Sequence, residues 1–484
     1  MEDKGPLDVG PEEGARLLAA VAELVVGHIR TVPDGPVAPA EPDTARIRER
    51  LAGYDFERPA PADDALTDVT EMLRRWGVHT THPRYFGLFN PTPNWWGVAG
   101  ELLAAGVNPQ LAAYSHAPAA VEMERHVLRF MAARLGLPDV AEGSFTVGGA
   151  EANLTAVVVA LTRAFDDYAH AGVRGLPGSP VLYASAESHL AWLKIAHMTG
   201  LGRDAVRLVP VDARYRLGLD RLGEMHAADV AAGLLPFLLV GTAGTTAGGA
   251  LDPLPELAAF AAERGLHFHV DAAWAGAVAL SDRLRPLLAG VELADSVTVD
   301  AHKWLSAPMG AGMFLTRHPE TLARSFRAST SYMPGETADA PDPYATSVQW
   351  SRRFAGLKVF LALAIAGRPA HAAQLERDVR LGELLARLLA EDGWERINDT
   401  PLPLVCVAAP EAERDGPEHS AAWHAAVVDR VVTGGEAWVS TVRLAGRPAI
   451  RICLTSHRTG SADIEALVTA LTQARTAVNE SGSA

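Results

Sequence analysis

Short apolar runs alternate with helical stretches between about residues 118 and 330, and this alternation constrains the fold more than any other feature. The runs are GSFTV, VLYAS, VRLVPVD, PFLLVG, LHFHVD, SVTVD and AGMFLT. Strands that are joined through helices pair in parallel, and the helices then cover both faces of the sheet. The pattern therefore predicts an α/β fold with a mostly parallel sheet flanked by helices.

The regions on either side of this alternation differ from it. Apolar positions recur at helical spacing in EEGARLLAAVAELVVGHIR and in ARIRERLAGYDF, whereas HPRYFGLFNPTPNWWG is rich in Pro and Gly and predicts a loop. A long helical pattern near residue 376, followed by LPLVCVAA, WVSTVRL and AIRICLT, predicts a small α+β domain. We expect a helical N-terminal segment over 1–80, a large α/β domain over 81–375 and a small domain over 376–484.

Composition and charge narrow the range of partners. The 484 residues carry a formal net charge of −15, which disfavours nucleic acids and anionic membranes as partners. Apolar segments such as LKVFLALAIAG are shorter than the roughly 20 residues of a membrane span, and MEDKGPLDVG has no signal-peptide pattern. The only cysteines, Cys406 and Cys453, cannot build a disulfide framework or a thiolate metal cluster. We expect a cytoplasmic enzyme.

Five candidate functional groups follow predicted strands closely along the chain. They are Gly149, His189, Thr246, Asp271 and Lys303. Ligands of open α/β sheets bind beyond the carboxyl ends of the strands, so we expect these groups to meet at one edge of the sheet.

Lys303 and Asp271 form the pair that pyridoxal phosphate chemistry requires. A lysine amine bonds to the cofactor aldehyde, and a carboxylate holds a proton on the pyridine nitrogen, which makes the ring an electron sink. The apolar flanks of Lys303, between His302 and Trp304, suit a partly desolvated nucleophile. Taken in isolation, Asp271 could equally be a helix cap and Lys303 a solvated lysine.

Two helix starts and one His pair have both functional and purely structural interpretations. Gly149 and Ala150 open a helix whose backbone N–H groups could bind a phosphate, although small residues are common at helix starts. Ser188 could cap a helix that begins with an ordinary histidine, or His189 could stack on a cofactor ring. The alternating histidines of HFHVD are usually structural, so we expect no metal site.

Seven motifs together resemble one enzyme family, the group II pyridoxal phosphate-dependent amino-acid decarboxylases, which include aromatic L-amino-acid decarboxylase and glutamate decarboxylase. The motifs are HPRYFGLFNPTP, GGAEANL, ASAESH, GTAGTTAGGALDP, HVDAAWAG, DAHKWL and QWSRRFAGLKVF. The resemblance runs from about residue 51 to residue 464. It implies fold type I of the pyridoxal phosphate-dependent transferases and pyridoxal 5'-phosphate as cofactor.

The resemblance also implies roles for individual residues. Lys303 would bond to the cofactor aldehyde, Asp271 would contact the ring nitrogen, and His189 would stack on the ring. A catalytic loop would carry Tyr332 as proton donor to the substrate Cα. The remaining cofactor contacts would come from Ala273, Gly149, Ala150, Thr246 and His302, and the substrate loop would contribute Phe89, Pro91 and Thr92.

The resemblance implies a homodimer whose active sites are completed by the partner chain, and decarboxylation of an L-amino acid to a primary amine. An aromatic substrate is favoured because the Phe89–Pro91–Thr92 loop looks like the aromatic branch, with Trp95 and Trp96 adding apolar bulk nearby. Aliphatic or acidic substrates of the valine, glutamate or diaminobutyrate type stay open. So does an aldehyde synthase, in which oxygen replaces the final proton, although such relatives tend to lack the tyrosine or the histidine. A regulatory or inactive protein of the same fold is disfavoured by the intact lysine–aspartate pair.

Asp300 departs from the family pattern. Aromatic decarboxylases often have Asn at this position, beside the cofactor phosphate. A carboxylate there would repel the phosphate, so we expect Asp300 either to point away or to be paired.

Overall fold

A seven-stranded sheet forms the centre of the computed structural model, which describes residue 5 and residues 7–39, 43–328, 342–414 and 416–481. The strand order is β1-β7-β6-β5-β4-β2-β3, and only β7 runs against the others. The predicted mostly parallel sheet is confirmed. The strands are β1 (Glu142–Thr146), β2 (Pro180–Ser185), β3 (Val206–Val209), β4 (Leu235–Thr242), β5 (His267–Asp271), β6 (Ser296–Asp300) and β7 (Gly312–Thr316).

Helices before and between these strands cover the sheet. The central strands β5, β6 and β7 are buried along their whole length, because helices pack on both faces. Such strands have no solvent-facing side, so their polar residues, such as His267, His269 and Ser296, need partners inside the protein. The helices are α1 (Gly10–Thr31), α2 (Thr44–Ala52), α3 (Ala62–Trp76), α4 (Trp95–Val107), α5 (Pro118–Leu135), α6 (Gly149–Ala164), α7 (Tyr168–Ala171), α8 (Ala191–Met198), α9 (Leu219–Ala231), α10 (Leu254–Arg264) and α11 (Pro319–Phe326).

The predicted loop before α4 ends earlier than expected. Asn94 caps α4, since its Oδ1 accepts a hydrogen bond from the Gly97 backbone N–H at 2.7 Å, so the final WWG is helical. These tryptophans lie directly after the loop, on the surface of the single chain. Trp95 and Trp96 are 50% and 40% exposed.

The C-terminal part has its own sheet and its own apolar core. The helix α12 (Gly356–Glu391) is broken at Gly367, where φ is 73°. It begins earlier in the chain than the helix that the sequence predicted near residue 376. Beyond it lie four antiparallel strands in the order β10-β11-β9-β8, with two helices packed against one face. These elements are β8 (Glu395–Arg396), β9 (Leu404–Ala408), α13 (Pro417–Thr433), β10 (Ser440–Leu444), β11 (Arg447–Cys453) and α14 (Ser461–Ser481). Within the described ranges, every helix is too short or too polar to cross a membrane.

A buried carboxyl group joins α12 to the segment that follows β6. The Asp378 carboxyl accepts hydrogen bonds from the Trp304 indole at 2.9 Å and from the Gln374 amide at 2.7 Å. Burial raises the pKa of Asp378 to about 7, because the charged form loses its hydration and gains no described ion pair. The protonated form is therefore the stable one in the folded protein over a wide acidic range.

Asp378→Asn is expected to change how stability depends on pH. Between about pH 4 and 7 the folded wild type keeps a proton that the unfolded chain has lost, so its free energy of unfolding falls as pH rises. The contribution is at most about 1.4 kcal/mol per pH unit. Urea unfolding of both proteins across this range should show the wild type losing stability relative to the variant. Parallel curves for the wild type and the variant would contradict the assignment.

Candidate active site

Polar groups from several strand ends meet at the carboxyl edge of the large sheet. The Ser188 hydroxyl lies 2.9 Å from the hydroxyl of Thr242, which ends β4. A side chain built at Gly149 would touch both Asp300 and Ala273, so the start of α6 lies beside the ends of β5 and β6. The five groups predicted to converge follow strands that all point to this edge.

Lys303 lies beside a buried carboxylate. Its Nζ is 3.0 Å from Oδ2 of Asp300, and the lysine side chain is 24% exposed while that of Asp300 is 1% exposed. The other oxygen, Oδ1 of Asp300, is buried and has no hydrogen-bond partner among the described residues. Of the two expectations for Asp300, the structure shows the paired one, and its partner is Lys303.

His302 lies close to the same carboxylate. Its Nε2 is 3.8 Å from Oδ2 of Asp300, and its Nδ1 accepts the Ala311 backbone N–H at 3.2 Å. Burial lowers the pKa of His302 although Asp300 acts in the opposite direction. A neutral ring whose Nδ1 already accepts a hydrogen bond carries its proton on Nε2, which makes this atom a donor.

Asp271 ends β5 as a nearly buried carboxylate held by two donors. Its Oδ2 accepts from the Asn153 amide at 2.8 Å, and its Oδ1 accepts from the Ala273 backbone N–H at 3.1 Å. Both Asp271 and Ala273 are less than a tenth exposed. The backbone bond is the one expected of a cap, but the bond from Asn153 belongs to a side-chain network inside the protein.

Gly149 and Ala150 are the first residues of α6, and Gly149 packs closely against Asp300 and Ala273. A Cβ on Gly149 would lie 2.8 Å from Oδ2 of Asp300 and 3.3 Å from Cβ of Ala273, so only glycine leaves space there. Among the described residues no side chain caps this helix. Its first N–H groups therefore form an uncapped, partly positive end.

His189 and Thr246 lie on two further strand-to-helix connections. His189 is exposed, and its Nδ1 accepts the Ala191 backbone N–H at 3.2 Å, which fixes the ring. Thr246 is half-buried, and its carbonyl accepts a hydrogen bond at 2.9 Å from Nε of Arg451.

The substrate loop predicted around Phe89 packs against residues that follow Asp271 and Lys303. The Phe89 ring stacks on Trp274 with centroids 4.3 Å apart. Asn94 donates its backbone and side-chain N–H groups to the Ser306 carbonyl at 2.7 and 2.8 Å. Pro91 is buried, and the buried Thr92 donates its hydroxyl to the Thr81 carbonyl at 3.0 Å, so that hydroxyl is engaged inside the loop. Tyr332 lies outside the described residues.

Arg451 is a candidate functional residue that the sequence interpretation did not single out. It is 4% exposed, its Nη1 donates to the Gly87 carbonyl at 2.6 Å, and its guanidinium lies 4.8 Å from the Phe89 ring centroid. Its Nη2 is buried without a hydrogen-bond partner in the ranges described. An arginine in the middle of the apolar run AIRICLT was the available signal, because a buried cation needs a reason.

The histidines of β5 take part in a different arrangement from a metal site. His267 and His269 both hydrogen-bond to the Ser296 hydroxyl, at 2.9 and 2.8 Å. The described residues hold no group of three or more side chains placed to bind a metal ion.

Comparisons with known proteins all lead to pyridoxal-dependent decarboxylases. Residues 50–409 match the model of the pyridoxal-dependent decarboxylase conserved domain. An aromatic-L-amino-acid decarboxylase of Bacillus atrophaeus is 26% identical, over 94% of this chain and 93% of its own. A human cysteine sulfinic acid decarboxylase is 33% identical, over 74% and 73%. The crystal structure of Oryza sativa TDC with PLP and tryptamine has a TM-score of 0.92 at 25% identity, covering 98% of this chain and 99% of that one.

The residues at the sheet edge fit pyridoxal phosphate. The glycine at position 149 leaves open the space that a Cβ would fill, directly at an uncapped helix end that favours a phosphate. Lys303 supplies an amine, and Asp271 supplies a carboxylate for the ring nitrogen. Donor groups, amine and carboxylate thus occur together in the combination that this cofactor requires.

Gly149→Ala is expected to weaken the binding of pyridoxal phosphate about tenfold, which is about 1.4 kcal/mol. The added methyl group would press on Asp300 and Ala273 and narrow the space for the phosphate. Binding of pyridoxal, which lacks the phosphate, should change by less than threefold, and absorbance titration measures both affinities. Gly223→Ala is the control, because a Cβ there meets no atom within 4 Å. An equal loss for both ligands would contradict the placement.

Proposed function

Because the chain belongs to the pyridoxal-dependent decarboxylase family, and is a pyridoxal phosphate-dependent carboxy-lyase, we propose that it converts an aromatic L-amino acid to the corresponding primary amine and carbon dioxide. The observation that carries this proposal is the Lys303 amine at the mouth of a sheet edge that also holds Asp271 and an uncapped helix end. The buried, stacked pair of Phe89 and Trp274, in the loop predicted to bind the substrate and directly after Asp271, is consistent with an aromatic substrate.

The cofactor, when bound, supplies an aldehyde that bonds to amines and a ring that accepts the electron pair left by a departing carboxyl group. We propose that the N–H groups of Gly149 and Ala150, together with Nε2 of His302, would hold its phosphate. Asp271 would keep a proton on the ring nitrogen, and Ala273 and His189 would flank the ring. Thr246 would face the ring or the substrate.

Lys303 and Asp300 would share a proton at the reacting end of the site. A lysine ammonium is not a nucleophile, so the amine must be free of its extra proton before it bonds to the cofactor. Asp300 Oδ2, at 3.0 Å from Nζ, is the described group placed to accept that proton. We propose that Tyr332 then protonates the substrate Cα, and that Phe89, Pro91 and Thr92 shape the pocket.

The proposal is tested with purified holoenzyme and a panel of L-amino acids, measuring carbon dioxide, amine, aldehyde and peroxide. We expect carbon dioxide and amine in equal amounts from an aromatic substrate. Lys303→Ala should lower turnover by at least a thousandfold, because cofactor attachment and product release both require the amine. Lys194→Ala, on α8, is the matched lysine control. Turnover of Lys303→Ala within tenfold of wild type would contradict the role of Lys303, and aldehyde with peroxide would identify an aldehyde synthase instead.

A second candidate function is decarboxylation of an acidic amino acid, and Arg451 is the observation that favours it. Its guanidinium is buried, its Nε and Nη1 are held by the carbonyls of Thr246 and Gly87, and its Nη2 has no partner within the described part of the chain. A fixed cation whose Nη2 group has no partner suits a carboxylate ligand. This ligand would be the α-carboxylate of any substrate or the side chain of an acidic one.

Arg451→Gln distinguishes these two ligands. If Arg451 binds the α-carboxylate, KM should rise about tenfold or more for aromatic and acidic substrates alike, since a hydrogen bond to a charged group contributes roughly 1.5–3 kcal/mol. If it binds a side-chain acid, KM should rise only for acidic substrates. Arg447→Gln, on the same strand but paired with Glu395 and Glu413, is the control. Unchanged KM for both classes would exclude Arg451 from substrate binding.

We also propose a homodimer whose N-terminal helices, residues 1–80, pack on the partner and whose active sites contain residues from both chains. None of the described residues of α1 is buried in the single chain, and α4 leaves Trp95, Trp96, Leu102 and Leu103 exposed. Exposed apolar surface of this extent marks an interface. Sedimentation velocity should give twice the chain mass, and a monomer at micromolar concentration would contradict the proposal. The two buried, unpaired cysteines suit the cytoplasm.

A further inference from the structure

Five buried polar side chains form a hydrogen-bonded row between α6 and strands β5 and β6. Asn153 Nδ2 lies 2.8 Å from Asp271 Oδ2, and Asn153 Oδ1 lies 3.1 Å from His269 Nε2. His269 Nδ1 lies 2.8 Å from the Ser296 hydroxyl, which is 2.9 Å from His267 Nε2. All five residues are less than a tenth exposed. The row therefore runs from the end of β5 back to its beginning, inside the protein.

The carboxylate end determines the first two hydrogen bonds of this row. An ionised carboxylate only accepts, so Asn153 must turn its NH₂ group toward Asp271 and its carbonyl oxygen toward His269. The Thr298 hydroxyl donates to the same carbonyl oxygen at 2.7 Å, which holds the amide in this orientation. His269 Nε2 faces an acceptor and must carry a proton.

The protonation of His269 determines the rest of the row. Burial lowers the pKa of His269 to about 3 and that of His267 to about 4, so both rings are neutral near pH 7. With its proton on Nε2, His269 accepts at Nδ1 from the Ser296 hydroxyl, and Ser296 in turn accepts from His267 Nε2. His267 Nδ1 is then a bare acceptor, and it is the atom of the row that has no partner among the residues described.

Every hydrogen bond of the row consequently points toward Asp271. The charged or titratable groups near the row are few: Asp271 at one end, and Asp295, Arg163 and His318 around His267 at the other. The Trp192 ring packs edge-on against His269 at 5.7 Å and fixes the plane of the imidazole. A single reversed bond would place two donors or two acceptors against each other, which costs roughly 1–3 kcal/mol for a buried group.

We propose that Asn153 and His269 are positioning residues: they keep the Asn153 amide turned toward Asp271, so that this carboxylate is held in place for the cofactor's ring nitrogen. The inference rests on the proposed role of Asp271. Asn153 belongs to the helix that would bind the phosphate, so the same helix would position the cofactor at two points.

The row itself is tested in the cofactor-free protein by NMR of ¹⁵N-labelled histidine. We expect the signals of His267 and His269 to show the proton on Nε2 and no titration between pH 5.5 and 8.5. The signal that disappears in His269→Gln identifies His269. A His269 ring with its proton on Nδ1, or one that titrates in this range, would overturn the direction of the row whether or not the enzyme function is correct.

The consequence for Asp271 is tested in the holoenzyme loaded with pyridoxal phosphate labelled with ¹⁵N in the ring. In Asn153→Ala and His269→Leu we expect the ring-nitrogen signal to move toward the unprotonated position, with kcat lowered at least tenfold and KM within threefold. His269→Gln should stay within threefold of wild type in kcat, because its side-chain N–H can still donate to Asn153. Equal behaviour of the Leu and Gln variants would overturn the proposal.

Two further variants distinguish failure of the positioning role from failure of the proposed role of Asp271. His226→Phe removes a half-buried histidine outside the row and should leave the ring-nitrogen signal and kcat unchanged. Asp271→Asn should move the ring-nitrogen signal at least as far as Asn153→Ala does. If Asp271→Asn leaves it unchanged, the proposed role of Asp271 fails, and the positioning role fails with it. If only Asp271→Asn moves it, the positioning role alone is overturned.

Discussion

Parallel pairing of the central strands is the constraint on which the rest of the structure depends. It brings the ends of β4, β5 and β6 to one edge, where backbone groups leave the ladder and polar side chains can face a ligand. Because helices bury both faces of the sheet, every polar atom along those strands needs a partner inside the protein. The buried row behind Asp271 and the partly exposed amine of Lys303 are two results of this single arrangement.

Two carboxylates end adjacent strands, and their surroundings give them different tasks. Asp271, at the end of β5, receives two neutral donors, which stabilise its charge without cancelling it. Asp300, at the end of β6, faces the Lys303 amine with one oxygen and has no described partner for the other. Asp271 is therefore held by neutral donors alone, whereas Asp300 is paired with a lysine.

The sequence predicted structure correctly where a short local pattern determines it, as in the strands of the large sheet. All seven predicted runs of the large sheet contain strands, because strands that alternate with helices along the chain pair in parallel beneath those helices. The boundary before α4 was wrong, since Asn94 reads equally as a loop residue and as a helix cap. Arg451 and the Asn153–His269 contact were missed for a different reason. They depend on side chains that are hundreds of residues or several elements apart, and no local pattern records such a contact.

The contact of Arg451 with the substrate loop shows why the second sheet matters to the first. Arg451 lies within β11, and its guanidinium donates hydrogen bonds to the carbonyls of Gly87 and Thr246. Gly87 belongs to the loop before α4, and Thr246 belongs to the connection after β4. Trp304, one residue after Lys303, is tied to Asp378 on α12. A shift of the C-terminal sheet relative to the large one would therefore disturb both the loop around Phe89 and the segment that carries Lys303. The site is a property of the two sheets together, and its shape is set by buried polar contacts between them.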